Sequence, residues 1–469
     1  MIITTMRRIA PCFLIVSGLF AQFGAGIQGT VVDASTRVIP NVRVRVVNVA
    51  TGVARDAITL DTGVYRVPSL PPGEYTVTVG REGFQRTEQR GLVLAIDEIR
   101  RVDFTLQVGN VTEKVNVVDK PTALETEQGR LSGRLDSEQL RSLPAPGRNV
   151  FNLLTLQPGV TGRGFGSDVY AGEPQPNVRA AGQRQESNFY SVDDTNINSI
   201  SRGGTINLTP NIDSVAEVRV VTNHFSAEEG RNSGAGVQVL TKSGTNALHG
   251  TVSEYFQNNT LAARNVFEAG VPVFRQHQFG YSIGGPVIKN RTFFFTSYEG
   301  LRNSGARASV ATVETEQFRD FVARTRPGTI AAKLLTQYKP IAYPSANFRD
   351  LGSPAAGVNA WNTTPDGVPD VGNVTFVPVN IRNGNQFNAR LDHELRPGKD
   401  RIYGNWYRTK GYSENLGLRP DFVRPQTDIA MFTNLNHTHI FSPSVAQSIM
   451  WRRSDLPAIS GWHMAANAT

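Results

Sequence analysis

From residue 248 onward, apolar and polar residues trade places with a period of two, in runs separated by connections of two distinct lengths. Gln386 to Leu395 (QFNARLDHEL) shows it best. Phe387, Ala389, Leu391, His393 and Leu395 share one face, and Asn388, Arg390, Asp392 and Glu394 the other. Successive side chains of a strand point to opposite sides, so such a run is a strand with one greasy and one wet face. The pattern predicts strands over 249–257, 276–284, 292–300, 385–395, 401–410, 431–441 and 445–453. The connections run long, short, long, short, long, short, the short ones being GPVIKNR, RPGKD and SPS. A half-buried soluble sheet shares the alternation but has no reason to order its connections this way. A membrane-spanning barrel does, because its turns on one side are short and its loops on the other long. Tyr403, Trp406, Tyr407 and Trp451 are candidates for aromatic girdles, or ordinary strand aromatics.

The chain begins with Arg7 and Arg8, an apolar run from Ile9 to Phe20, and a small-x-small step at Gly24 and Gly26. That order reads as a signal peptide over 1–26, with a weak membrane anchor or a misassigned start as the alternative. Cys12 is the one cysteine, so removal of this segment excludes disulfides, thiolate metal sites and cysteine nucleophiles. No run of about 18 apolar residues is present, which excludes a helical transporter.

The formal net charge of +8 is spread singly, with adjacent basic residues only at 7–8, 100–101 and 452–453. This is a solvated basic surface and no nucleic-acid partner is expected. Phosphate-binding and HExxH motifs are lacking. His437 and His439 share a strand face with no nearby carboxylate expected, and read as ordinary strand residues before metal ligands. The expectation is therefore a non-enzyme, with no catalytic residue, metal or cofactor.

Residues 27–108 carry strands every 8–12 residues with Pro/Gly turns, the rhythm of a small β-sandwich. Gly29-Thr-Val-Val-Asp33, Ile39-Pro-Asn-Val42, Asp61-Thr-Gly-Val-Tyr65, Leu70-Pro-Pro-Gly-Glu-Tyr-Thr-Val77 and Gly83-Phe84 follow one another. Their order resembles the carboxypeptidase regulatory-like domain. Peptidase chemistry does not follow, because the first histidine is His224. A structural spacer is the plain reading, and carbohydrate binding the functional one.

Within the linker 109–121, Glu113, Lys114, Val115, Asn116, Val117 and Val118 form a β-prone stretch just ahead of Pro121. It resembles the short box through which transporters engage the energy-coupling protein TonB, by adding an edge strand. A last sandwich strand or a simple linker is the alternative.

Residues 122–247 resemble a TonB-dependent receptor plug of the Oar-like kind. The matching elements are Ser142-Leu-Pro-Ala-Pro-Gly-Arg148-Asn149, Leu154-Thr-Leu-Gln-Pro158-Gly159-Val160, Arg179 with Gly182 and Arg184, and Asn188 to Asp193. Gly234, Gly236 and the run Thr241-Lys242-Ser-Gly-Thr-Asn246 complete the set. The resemblance gives these residues structural and gating roles. Two departures stand out: Arg179-Ala180 and Asp193-Asp194 lack the glycine that the general plug pattern has at each second position.

The fold class expected is mainly β: an N-terminal sandwich, a small α+β plug, then antiparallel strands of an incomplete outer-membrane barrel over 248–469. The resemblance implies a TonB-dependent outer-membrane receptor or transporter, with sandwich and plug facing periplasm and lumen. It imports an unidentified ligand, with glycan or peptide as candidate classes. Its partners would be a TonB-type energy-transducing protein, outer-membrane lipid and the extracellular ligand, met around loop 301–384 with Trp361. Seven strands fall short of the roughly 22 that surround a plug, so a fragment of a longer product is expected. Export or surface display, and a secreted adhesin, are the rival readings.

Overall fold

The computed structural model describes residues 25–109, 114–118, 132–164, 169–170, 174–200, 203–222, 233–264, 266, 270–306, 308–351, 365, 367–423, 425–442 and 445–455. The expected signal peptide up to residue 24, Glu113 and Trp361 lie outside them.

The first module has nine strands: β1 (Ala25–Asp33), β2 (Arg43–Asn48), β3 (Ala54–Ile58), β4 (Val64–Leu70), β5 (Gly73–Gly80), β6 (Arg86–Leu94), β7 (Ile99–Arg101), β8 (Phe104–Leu106) and β9 (Lys114–Val118). One sheet has the order β4-β1-β7 with β8 also on β1; the other has the order β3-β2-β5-β6-β9. Val44 and Val46 point into the core while Arg43 and Arg45 face water, and Ile27, Tyr65, Val77, Leu92 and Phe104 join them inside. The opening glycine has a steric cause: a Cβ on Gly29 would lie 1.8 Å from the Val102 carbonyl oxygen. The β-prone stretch ahead of Pro121 pairs with the sandwich over 114–118. β9 runs parallel to β6, Arg86 facing Lys114 and Arg90 facing Val118. The sequence leaves this pairing open, because the two strands do not form a hairpin.

The plug follows. β10 (Ser132–Asp136) leads into α1 (Ser137–Ser142), which Asp136 and Gln139 start with a capping box. β11 (Val160–Gly164) pairs with β12 (Asn177–Ala180), while β13 (Phe189–Val192), β14 (Thr195–Asn196), β15 (Val215–Val221) and β16 (Gly236–Thr241) join β10 in a sheet of order β10-β15-β16-β13-β14. At the second departure the chain keeps the glycine-like geometry without the glycine, whereas Ala180 at the first is an ordinary strand residue ending β12. Asp193 (φ 43°) and Asp194 (φ 63°) make the two-residue turn between β13 and β14, and Ala181 (φ 51°) with Gly182 (φ 72°) the turn after β12. Aspartate tolerates the left-handed region better than most residues, which suits a turn with both central φ angles positive.

The wall begins with β17 (His249–Asn258), β18 (Val273–Ile288) and β19 (Thr292–Ala306). The long connection after β19 folds on its own: β20 (Ser309–Glu314), α2 (Glu316–Thr325), α3 (Ile330–Gln337), β21 (Ala346–Arg349) and β22 (Val371–Phe376), with strand order β20-β22-β21. The wall resumes with β23 (Val379–Arg396), β24 (Asp400–Asn415), β25 (Gln426–Ser442) and β26 (Val445–Asp455), all neighbours antiparallel in a sheet of seven strands. Long connections span 259–272, 307–378 and 416–425, and short ones 289–291, 397–399 and 443–444.

The two faces of this sheet are inverted relative to a soluble protein. On β23, Gln386, Asn388, Arg390, Asp392 and Glu394 are buried against the plug, whereas Leu391 is 51% exposed. On β25, Asn434 and Asn436 are fully covered while Leu435 is 49% exposed. Polar-in and apolar-out is the arrangement of a barrel wall in lipid. The aromatic expectation divides accordingly. Trp406 lies on the outward face against Phe387 (ring centroids 5.6 Å apart), and Trp451 is exposed. Tyr403 and Tyr407 are buried against the plug, where their hydroxyls find polar partners that lipid lacks. His437 and His439 do have a carboxylate close by, supplied by the neighbouring strand: Asp400 Oδ1 lies 3.4 Å and 2.5 Å from their ring nitrogens.

Candidate functional site: the seam between plug and wall

The seam is built in three tiers. The lowest centres on the β13–β14 turn, which aims the Asp193 carboxylate at the wall. Thr241 donates to it from its backbone N–H (2.9 Å) and its hydroxyl (2.6 Å). From the wall come Arg390 Nη1 (3.2 Å) and the side-chain amide of Asn405. Arg390 in turn grips Asp392 with Nε (2.9 Å) and Nη2 (3.1 Å), and Arg401 Nη2 adds a bond of 2.6 Å to the same carboxylate. Asn434 Nδ2 donates to the Asp193 carbonyl at 2.9 Å. Two carboxylates and two guanidiniums thus balance, each carboxylate held by several donors, as buried charges require. Next to them, burial and the Asp193 charge hold the Asp194 carboxyl well above the usual carboxylate range.

In the middle tier Asn211 and Ser214 meet Tyr407. The Ser214 and Tyr407 hydroxyls are 2.5 Å apart, and Asn211 N–H donates to the tyrosine oxygen at 3.2 Å. Tyr407 also stacks on Phe432, and both belong to the plug's apolar core. In the upper tier Tyr170 donates to Glu299 at 2.9 Å. Its ring occupies a slot formed by the paired glycines Gly384 and Gly411: a Cβ on Gly384 would come within 2.3 Å of the ring. Arg148, itself at φ 54°, binds Asp213 at 2.7 Å and lies 3.7 Å from Glu299, its guanidinium 3.9 Å from the centre of the Tyr255 ring.

The structure brings four of the sequence-derived site residues together here: Arg148, Asp193, Thr241 and Lys242, whose ammonium donates to the Asp213 carbonyl at 2.8 Å. Burial, with the Arg141 and Arg148 charges outweighing Asp213, lowers the Lys242 pKa to about 8. Others serve the plug's own shape. Asn149 caps the turn at Phe151, Gly159 sits at φ 75° immediately before β11, and Gly234 leaves room for the Asn188 amide. Pro158 precedes Gly159 in that turn, and Gly236 opens β16 opposite Phe189. Arg179, Gly182 and Arg184 are exposed and lie outside the seam. Strand β9, which holds Lys114, Val115, Asn116, Val117 and Val118, is also outside it, on the sandwich edge. Sequence reading missed Arg390, Asp392, Asn405, Asn434 and Glu299 as a site. The available signal was charge on the wet face of a wall strand, where a water-filled lumen would need none.

Residues 240–457 match the outer membrane beta barrel domain family, and residues 26–107 the carboxypeptidase regulatory-like domain. The TonB-dependent transporter Oar of Myxococcus xanthus is 28% identical over 309 residues, 62% of this chain. The chain carries an outer membrane beta barrel domain and a carboxypeptidase regulatory-like domain, and is similar to the Oar-like TonB-dependent transporters. It spans 28% of the length of that curated relative. Among solved structures, the outer membrane transporter YddB of Escherichia coli shares 10% identity, covering 69% of this chain and 38% of its own, at a TM-score of 0.40. A mutant of the ferric enterobactin receptor PfeA of Pseudomonas aeruginosa shares 13%, covering 70% and 45%, at 0.30. The match to an outer membrane beta barrel domain places the wall in the outer membrane.

Proposed function

We propose that this chain works within a plugged outer-membrane transporter that takes up an extracellular ligand when a TonB-type protein pulls the plug. The polar seam carries this reading. A stopper glued by apolar contacts would resist displacement, whereas hydrogen bonds and ion pairs facing a lumen can be exchanged for water. Each such exchange costs little net free energy, about 0.5–1.5 kcal/mol per neutral bond. The partner would engage 113–118, whose strand β9 ends the sheet order with no strand on its second edge among the described residues. The ligand would be met by the folded connection 307–378, which Arg419 clamps to the next long loop by reaching Glu314 at 2.5 Å.

The test is photo-crosslinking from Asn116 in the full chain to the periplasmic domain of a TonB-type protein. A crosslink that a Val117→Pro change abolishes is expected. Equal crosslinking with and without proline would defeat the strand-addition mechanism.

A further inference from the structure

The geometry points to the N-terminal sandwich as a lid seated over the short-turn mouth of the seam, closing the exit between plug and wall. This rests on the transport reading, since a mouth matters only if something leaves through it. Two loops of the sandwich make the seat. At the first, Ile96 N–H donates to Glu217 Oε1 (3.1 Å) while Arg219 of the plug donates to the Ile96 carbonyl (2.5 Å) and lies 3.6 Å from Asp97. Arg219 is 1% exposed, so this contact is fully covered.

At the second, Asn246 ties three parts together. Its backbone N–H donates to the Ala50 carbonyl (2.9 Å), its amide to the Thr51 carbonyl (2.7 Å) and to Asn290 Oδ1 in a short turn of the wall (2.6 Å). The neighbouring short turn is equally close: a Cβ on Gly398 would lie 2.9 Å from the Ala54 carbonyl oxygen.

Beneath this seat is a cavity of about 260 Å³ whose lining comes from all three modules: Asn48 and Tyr75 of the sandwich, Ser191 and Gln238 of the plug, Arg390 and Tyr403 of the wall. Two fully covered atoms on it, Ser191 Oγ and Glu394 Oε2, have no hydrogen-bond partner, as expected where water fills a vestibule. The cavity adjoins the Asp193–Arg390 tier, the polar path that plug displacement would open. The lid covers that path, held by hydrogen bonds and one ion pair that can release. Strand β9, zipped onto the lid at β6, also belongs to the segment joining lid to plug, so tension there reaches the lid before the plug.

Labelling tests this without ligand or energy coupling, so its outcome is independent of the transport reading. Cys12 is the chain's one cysteine, so Ala216→Cys on a Cys12→Ser background gives a single thiol on the cavity wall. In the folded full chain it should react with a bulky impermeant maleimide at least tenfold more slowly than after Arg219→Ala. Asn246→Ala should raise the rate severalfold, and serves alone if Arg219→Ala fails to fold by circular dichroism. Fast labelling in the otherwise native chain, or a rate that no folded seat variant changes, overturns the lid.

Discussion

The sandwich and the wall use the same alternation to opposite ends. In β2, valines turn inward to a greasy core and arginines turn out to water. In β23, asparagine, arginine and aspartate turn inward and leucine turns out. Period two states only that a strand has two unlike faces; the medium on each side decides which is buried. A core that excludes water selects the apolar face, and a lumen filled by a polar stopper inside lipid selects the other.

The sharpest way to break the comparison is Arg390→Ala. It strands Asp193 and Asp392 without their shared guanidinium, and should cost about 3–5 kcal/mol of plug seating. Urea unfolding followed by plug-specific hydrogen exchange measures it; a loss under about 1 kcal/mol would mean the seam carries no weight. Next come two substitutions of opposite polarity in the two regions. Leu92→Ala in the sandwich core should cost about 2–5 kcal/mol through a cavity. Leu391→Arg on the outward face should cost up to about 2–4 kcal/mol in lipid but little in a charged micelle. A Leu391→Arg penalty unchanged by the medium would place that face against protein.

A smaller effect is expected of Tyr407→Phe, which removes one hydroxyl shared by Asn211 and Ser214, at about 1 kcal/mol. Smallest is a pH effect through Lys242. Its seated pKa is about 8 against an ordinary 10.5, so the unfolded state binds more protons between them. Plug stability therefore rises as pH goes from about 8 toward 10.5 and is lower, and flat, below. Lys242→Met should remove that rise in melting temperature.

The sandwich was legible because its turns are spelled by glycine and proline at steric necessities such as Gly29. Wall strands were legible where one face is greasy: the starts at His249, Thr292 and Val445 follow from the pattern. The upper ends were not. β19 continues to Ala306 and β24 to Asn415, through Arg302-Asn-Ser304 and Lys410-Gly-Tyr-Ser413, where both faces are polar and alternation carries no signal. The seam was hidden for another reason. Asp193 and Arg390 are 197 positions apart, and nothing local in either strand names the other. The Asp193-Asp194 turn shows the reverse case, in which Asp194 keeps the glycine conformation while Asp193 beside it supplies the carboxylate the wall binds.

The inverted wall is tested most directly by spin labels placed one at a time along 386–395 in lipid bilayers. Collision with oxygen, which concentrates in the acyl region, should peak at 387, 389, 391, 393 and 395 and vanish at the even positions. Peaks at the even positions, or strong collision with a water-soluble nickel reagent at Leu391, would contradict a wall that is greasy outward and polar toward its plug.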